Sequence, residues 1–96
     1  MRILVTYDVE TISPSGAKRL RHVAKACMDY GQRVQNSVFE CLVTEVQYLE
    51  LKNRLEHIID IEADSIRFYH LSPKLNKAVE TIGKLTSYDP EATLLI

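Results

Sequence analysis

Residues 33–43, Arg-Val-Gln-Asn-Ser-Val-Phe-Glu-Cys-Leu-Val, contain two runs of strand-forming residues around a polar centre. β-branched and aromatic side chains favour strands, and the central Gln35-Asn36-Ser37 is typical of a tight turn or a bulge. The segment therefore predicts a β-hairpin in the middle of the chain.

A helix is predicted on each side of this hairpin. Downstream, Thr44-Glu-Val-Gln47 matches a capping box, in which the hydroxyl accepts from the Gln47 amide and the Gln47 side chain reaches back. The helix that follows spans about 45–60, and its buried stripe is predicted to be Tyr48, Leu51, Leu55, Ile58 and Ile59. Upstream, residues 15–30 form an amphipathic helix, after which Gly31 can take the left-handed conformation that ends a helix. Its apolar side is predicted to be Leu20, Val23, Ala24, Cys27 and Met28.

Strands are predicted at both ends of this central unit. Residues 2–9 are rich in β-branched and aromatic types, residues 65–71 alternate as in a half-buried strand, and residues 77–83 suggest a short further strand. The order β-α-β-β-α-β predicts an α+β, ferredoxin-like sandwich over residues 1–96, with both helices on one sheet face. The uncovered face favours a homodimer, in which the tail from about residue 72 to 96 packs on the partner.

The charge is unevenly distributed, although the net charge is only −1. Lys18, Arg21 and Lys25 recur at helical spacing on the polar side of the first helix, and no acidic residue interrupts them. Such a surface suits contacts to a phosphate backbone, although any solvated helix can also carry a charged face.

Other features exclude several kinds of site. No P-loop, GxGxxG, HExxH or Cys/His metal motif is present. The two cysteines are expected to be buried, reduced thiols, and His22, His57 and His70 are expected to lie on the surface. No apolar stretch approaches the roughly 20 residues of a membrane span, so we expect a cytoplasmic protein without a membrane partner.

Asp8 lies at the carboxyl end of the first predicted strand. One interpretation is a carboxylate that caps a turn. The other needs the dimer: two copies of Asp8 facing each other, with water and a phosphate, suit Mg²⁺, which takes few protein ligands. Such a metal could activate water and polarise a phosphodiester.

Four segments together resemble one protein family. They are Tyr7-Asp8-Val9, Lys18-Arg19-Leu20-Arg21, the hairpin string from Gly31 to Glu40, and the late segment from Val79 to Gly83. The chain closely resembles the small CRISPR-associated endonucleases, the second of the two universal spacer-acquisition proteins. The similarity extends over essentially the whole chain.

The resemblance implies a homodimeric, Mg²⁺-dependent nuclease that cleaves RNA or double-stranded DNA. It matches Asp8 to the proposed metal ligand and Arg19, Arg33 and Phe39 to positions implicated in nuclease activity. It also implies that the dimer bridges two dimers of an integrase partner. The nucleic-acid-binding residues are expected to be Lys18, Arg19, Arg21, Lys25 and Arg33. Two alternatives stay open, namely a non-catalytic scaffold that binds the DNA backbone and a regulatory domain that binds a small ligand between subunits.

Overall fold

A five-stranded antiparallel sheet forms the centre of the computed structural model, which describes residues 1–71 and 79–84. Its elements are β1 (Arg2–Asp8), α1 (Pro14–Met28), β2 (Gly31–Gln35), β3 (Val38–Leu42), α2 (Glu45–Ile58), β4 (Ser65–His70) and β5 (Val79–Gly83). The strand order is β2-β3-β1-β4-β5. The predicted α+β, ferredoxin-like βαββαβ arrangement with a further strand is therefore confirmed.

Both helices pack on one face of the sheet. Ile3, Val5 and Tyr7 alternate along β1 and point toward the helices, where they are buried. Phe39 of β3 and Phe68 of β4 are completely buried in the same core. Because successive side chains of a strand point to opposite faces, Asp8 and its same-face neighbours lie on the side away from the helices. We call this side the open face, since no helix of the described residues covers it.

Both helix starts are capped by a side chain. Ser13 caps α1 by accepting a hydrogen bond from the Gly16 amide at 3.1 Å. The capping box of α2 is also confirmed, because Thr44 accepts from the Gln47 amide at 3.1 Å and donates its own amide to the Gln47 side chain at 2.9 Å. No helix in the described ranges is long and apolar enough to cross a membrane.

Two details of the first helix were predicted wrongly. Met28 is 54% exposed, and the inward position belongs to the completely buried Ala26. Gly31 does not end the helix in a left-handed conformation, since Asp29 caps it with right-handed dihedral angles. Gly31 instead begins β2, where a Cβ would lie 2.3 Å from the Glu40 carbonyl oxygen. The glycine is therefore needed for close approach of two strands.

The fourth strand differs from its predicted half-buried form. All six residues of β4 are buried, and this strand lies inside the sheet between β1 and β5. The interpretation of His70 as a surface residue is wrong, because its side chain is buried beside Tyr48 and Glu80. Cys27 and Cys41 are buried free thiols as predicted.

The tail is described only in part. β5 pairs antiparallel with β4 of the same chain, with Tyr69 opposite Val79 and Ser65 opposite Gly83. Residues 72–78 and 85–96, which make up most of the predicted tail, lie outside the described residues. The packing of the tail on a dimer partner stays a prediction.

Candidate functional site

Asp8 is the last residue of β1 and lies opposite Ser65 of β4. Its side chain is exposed on the open face, and it makes no hydrogen bond or ion pair within residues 1–71 and 79–84. No hydrogen bond in this part of the chain supports the interpretation of Asp8 as a turn cap, and the helix that follows is capped by Ser13. The carboxylate is therefore free to bind a ligand.

The chemistry of this carboxylate fits Mg²⁺, which prefers oxygen ligands and is usually held by one or two carboxylates together with water and phosphate oxygens. The described residues contain no group of three or more His, Cys, Asp or Glu side chains that could hold a metal. Asp8 can therefore supply one protein ligand, and further ligands would come from water, substrate or a second copy of the chain.

Arg33 and Phe39 lie on the opposite side of the sheet from Asp8. They face each other across β2 and β3, and the Arg33 guanidinium carbon is 5.1 Å from the centre of the Phe39 ring. Tyr7 stacks on Phe39 with ring centres 6.1 Å apart, and its hydroxyl donates to the Asn36 carbonyl at 3.2 Å. Burial raises the pKa of Tyr7, and a hydrogen bond from Arg33 offsets part of that rise. One chain thus brings Arg33 and Phe39 together but not with Asp8.

Arg19 points inward from α1 instead of joining the exposed basic residues. Its Nε donates to Asp64 at 2.8 Å and its Nη2 donates to the second oxygen of the same carboxylate at 3.3 Å. A third nitrogen, Nη1, donates to Ser15 at 3.3 Å, and Nη2 also lies 3.8 Å from Glu10. The Arg19 side chain is 17% exposed, and these contacts hold the guanidinium against the protein.

Asp64 is the residue that sequence reasoning missed. Its completely buried carboxylate also accepts the Glu10 amide at 3.0 Å and the Asp60 amide at 2.9 Å. Burial alone would raise the pKa of Asp64, but the hydrogen bonds from Arg19 and from the two amides outweigh it, and the pKa is lowered. The only signal in the sequence was an acid directly before a strand that belongs to the core.

Lys18, Arg21 and Lys25 form an exposed basic face on α1. Their spacing of three and four residues aligns them along the helix, and none makes a hydrogen bond or salt bridge with the described part of the chain. A groove between the helices opens beside Lys25 and is lined in addition by His22, Asn53, Arg54, His57 and Ile58. The basic face lies on the helix side of the sheet, away from Asp8.

A second polar cluster joins α2, β4 and β5 at the far end of β4. The Nε2 atom of buried His70 lies 3.0 Å from Glu80 and 3.3 Å from the Tyr48 hydroxyl. Lys52 donates to Glu80 at 2.8 Å, and this bond is the main reason that the pKa of Glu80 is lowered. Burial, and then the hydrogen bond to Glu80, raise the pKa of Tyr48.

Comparison with known proteins finds close relatives of this chain. The chain is 54% identical over 95 residues to the "CRISPR-associated endonuclease Cas2" of Halalkalibacterium halodurans, covering 99% of each chain. It is 49% identical over 96 residues to the "CRISPR-associated endoribonuclease Cas2" of Nitratidesulfovibrio vulgaris, covering 100% of this chain and 94% of the relative. The crystal structure of Streptococcus pyogenes Cas2 superimposes with a TM-score of 0.71 at 61% identity, covering 86% of this chain and 100% of that one.

A family model for CRISPR-associated protein Cas2 matches residues 1–79. The predicted resemblance is thereby confirmed. This chain belongs to the CRISPR-associated protein Cas2 family.

Proposed function

We propose that the chain is a metal-dependent endonuclease that acts as a homodimer and cleaves phosphodiesters in RNA or double-stranded DNA. The names of two relatives, an endonuclease and an endoribonuclease, support a nuclease role. We also propose that the dimer works in the cytoplasm, within a CRISPR spacer-integration complex that contains two dimers of an integrase partner.

The observation that carries the proposal is the free carboxylate of Asp8. A charged side chain at the end of a central strand is usually paired when the fold needs it, and Asp8 has no partner among the described residues. Its position on the open face allows a second copy to present the same residue across a shared cleft. Exposed Leu42 on the same face supports burial of that face against another chain.

Different residues of this chain would bind the metal, bind the nucleic-acid backbone and support these groups by packing. The two Asp8 carboxylates of the dimer would hold Mg²⁺, which supplies an activated water and stabilises charge on the phosphate. Lys18, Arg21 and Lys25 would bind the nucleic-acid backbone without reading its sequence. Arg33 would add a further phosphate contact from its position over Phe39. The completely buried Phe39 would support Arg33 and Tyr7 by packing, since its ring cannot reach a substrate.

A non-catalytic scaffold is the second candidate. The observation that favours it is that the described residues contain no group of three or more possible metal ligands, whereas Lys18, Arg21 and Lys25 are exposed on the helix side. A scaffold would use the basic face to bind the DNA backbone and the sheet to bridge two integrase dimers, and it would need no metal.

A cleavage assay separates the two candidates. Wild type and Asp8→Asn are incubated with RNA and with duplex DNA, with and without Mg²⁺. The nuclease proposal expects cleavage only by the wild type and only with metal. A wild-type protein that cleaves neither substrate in any divalent metal establishes the scaffold instead. Sedimentation checks the homodimer, which should show twice the chain mass of 11.0 kDa.

A further inference from the structure

We propose that Asp64 is a positioning residue for Asp8, and that Arg19 acts through Asp64 instead of contacting the substrate. The inference rests on the proposed function, because it assigns a role at the metal site built on Asp8. It concerns a buried carboxylate that carries no exposed atom of its own.

The contacts of Asp64 connect three segments that the fold brings to one end of the sheet. Its two carboxylate oxygens accept four hydrogen bonds, two from the Arg19 guanidinium, one from the Glu10 amide and one from the Asp60 amide. These donors belong to α1, to the segment after β1 and to the turn before β4. Hydrogen bonds to an ionised acceptor are stronger than neutral ones, so one side chain holds all three segments together.

Asp8 is held from two sides by this arrangement. Glu10, whose amide is bound by Asp64, lies two residues after Asp8. Ser65, the residue after Asp64, lies opposite Asp8 in the ladder between β1 and β4. The Asp64 carbonyl oxygen accepts from the Lys84 amide at 2.7 Å, which also fixes the end of β5. The backbone around Asp8 therefore depends on Asp64 although the two carboxylates face different environments.

Three of the five N–H groups of Arg19 donate hydrogen bonds within the protein. Each of its three guanidinium nitrogens already has an acceptor in the protein, two on Asp64 and one on Ser15. A planar guanidinium that is bidentate on a carboxylate is held in one orientation. Loss of Arg19 would therefore act on the same structure as loss of Asp64.

A double-mutant cycle tests this inference. Asp64→Asn, Arg19→Gln and the double variant are compared in full-length protein, with Glu62→Gln as the control because Glu62 is an exposed acid in the same turn. The readouts are amide hydrogen exchange at Glu10, Mg²⁺ affinity by calorimetry, and cleavage. We expect faster exchange and about tenfold weaker Mg²⁺ binding in each single variant, as for residues that orient metal ligands. In the double variant, the loss of Mg²⁺ affinity and the increase in amide exchange should be no larger than in the more strongly affected single variant. Glu62→Gln should behave as wild type.

Several outcomes overturn the inference. If the losses of the two single variants multiply in the double variant, Arg19 acts independently of Asp64. If Glu10 exchange is unchanged in both single variants, Asp64 does not position this segment. Arg19→Gln keeps Asp64 and its two amide bonds, so it remains informative if Asp64→Asn fails to fold. A wild type that neither binds Mg²⁺ nor cleaves refutes the proposed function, whereas the exchange measurement still judges the positioning role.

Discussion

Asp8 and Asp64 lie at the same end of neighbouring strands, yet their environments are opposite. Asp8 is exposed and has no hydrogen bond or ion pair within the described ranges, whereas Asp64 is completely buried and accepts four hydrogen bonds there. A buried charge requires such partners, and an exposed one does not. The contrast indicates that Asp64 stabilises the fold at this end of the sheet and that Asp8 is available to bind a ligand.

The largest expected effect is on stability. Asp64→Ala leaves Arg19 without its carboxylate and leaves the Glu10 and Asp60 amides without an acceptor. We expect a loss of about 3 kcal/mol in the free energy of unfolding, at the lower end for a broken buried ion pair because Arg19 keeps some access to water. Asp8→Ala should change it by no more than about 0.5 kcal/mol. Urea denaturation of both variants measures the difference, and equal losses would remove the contrast.

The pH dependence of stability sharpens the same comparison. The pKa of Asp64 is lowered in the folded protein, so its contribution is complete above the ordinary aspartate pKa of about 4. The contribution is lost as the pH falls through the lower folded-state value. We therefore expect the stability gap between wild type and Asp64→Asn to be constant from pH 7 to about 5 and to shrink below about 4. A stability difference that grows as the pH falls would mean that the pKa of Asp64 is raised in the folded protein and not lowered.

Glu80 is an intermediate case at the other end of β4. It is partly exposed but is bonded to Lys52 and to His70, and it attaches β5 to the helix side of the sheet. Glu80→Gln should cost about 1 kcal/mol, the typical value of a hydrogen bond. Thermal unfolding monitored by circular dichroism checks the value. If Glu80→Gln lost as much unfolding free energy as Asp64→Ala, solvent exposure would not determine how much these carboxylates contribute to stability.

The basic face should show the smallest effect on the fold. Changing Lys18, Arg21 and Lys25 together to Ala should alter the unfolding free energy by no more than about 0.5 kcal/mol, because all three are exposed. Duplex binding should weaken to a similar degree for unrelated sequences. Its salt dependence should flatten by about 0.9 units of logarithmic slope for each lost phosphate contact. Fluorescence anisotropy over a salt series measures both, and an unchanged slope would leave these residues as ordinary solvated surface.

Local patterns in the sequence were sufficient for the fold. The capping box at Thr44 and the polar turn at residues 35–37 depend on neighbours close in the chain, and both were predicted. The role of Gly31 was predicted wrongly. A glycine is needed there because the Glu40 carbonyl lies close by across the hairpin, and this contact is not visible in the local sequence pattern. The burial of β4 was underestimated because side chains on both faces of this strand are buried, and burial of the second face depends on long-range contacts that the local sequence does not reveal.

The candidate site was predictable only where a residue stands out locally. Asp8 is conspicuous as a carboxylate at the end of an apolar strand. Asp64 is not, because its partners Glu10 and Arg19 are 54 and 45 positions away in the chain. Arg19 was grouped with its basic neighbours, although a step of one residue turns a helical side chain by about 100°. Only its long-range contact with Asp64 shows that Arg19 points inward and does not belong to the exposed basic face.

Paramagnetic broadening by Mn²⁺ in place of Mg²⁺ tests the central claim most directly. Mn²⁺ is titrated into isotopically labelled wild type and Asp8→Asn, and the amide signals are followed by NMR. We predict that broadening in the wild type begins at Asp8 and Ser65, which lie opposite each other in the sheet, and that it disappears in Asp8→Asn while the remaining spectrum is preserved. Broadening that is centred elsewhere, or that persists unchanged in Asp8→Asn, would contradict the assignment of Asp8 as the metal ligand.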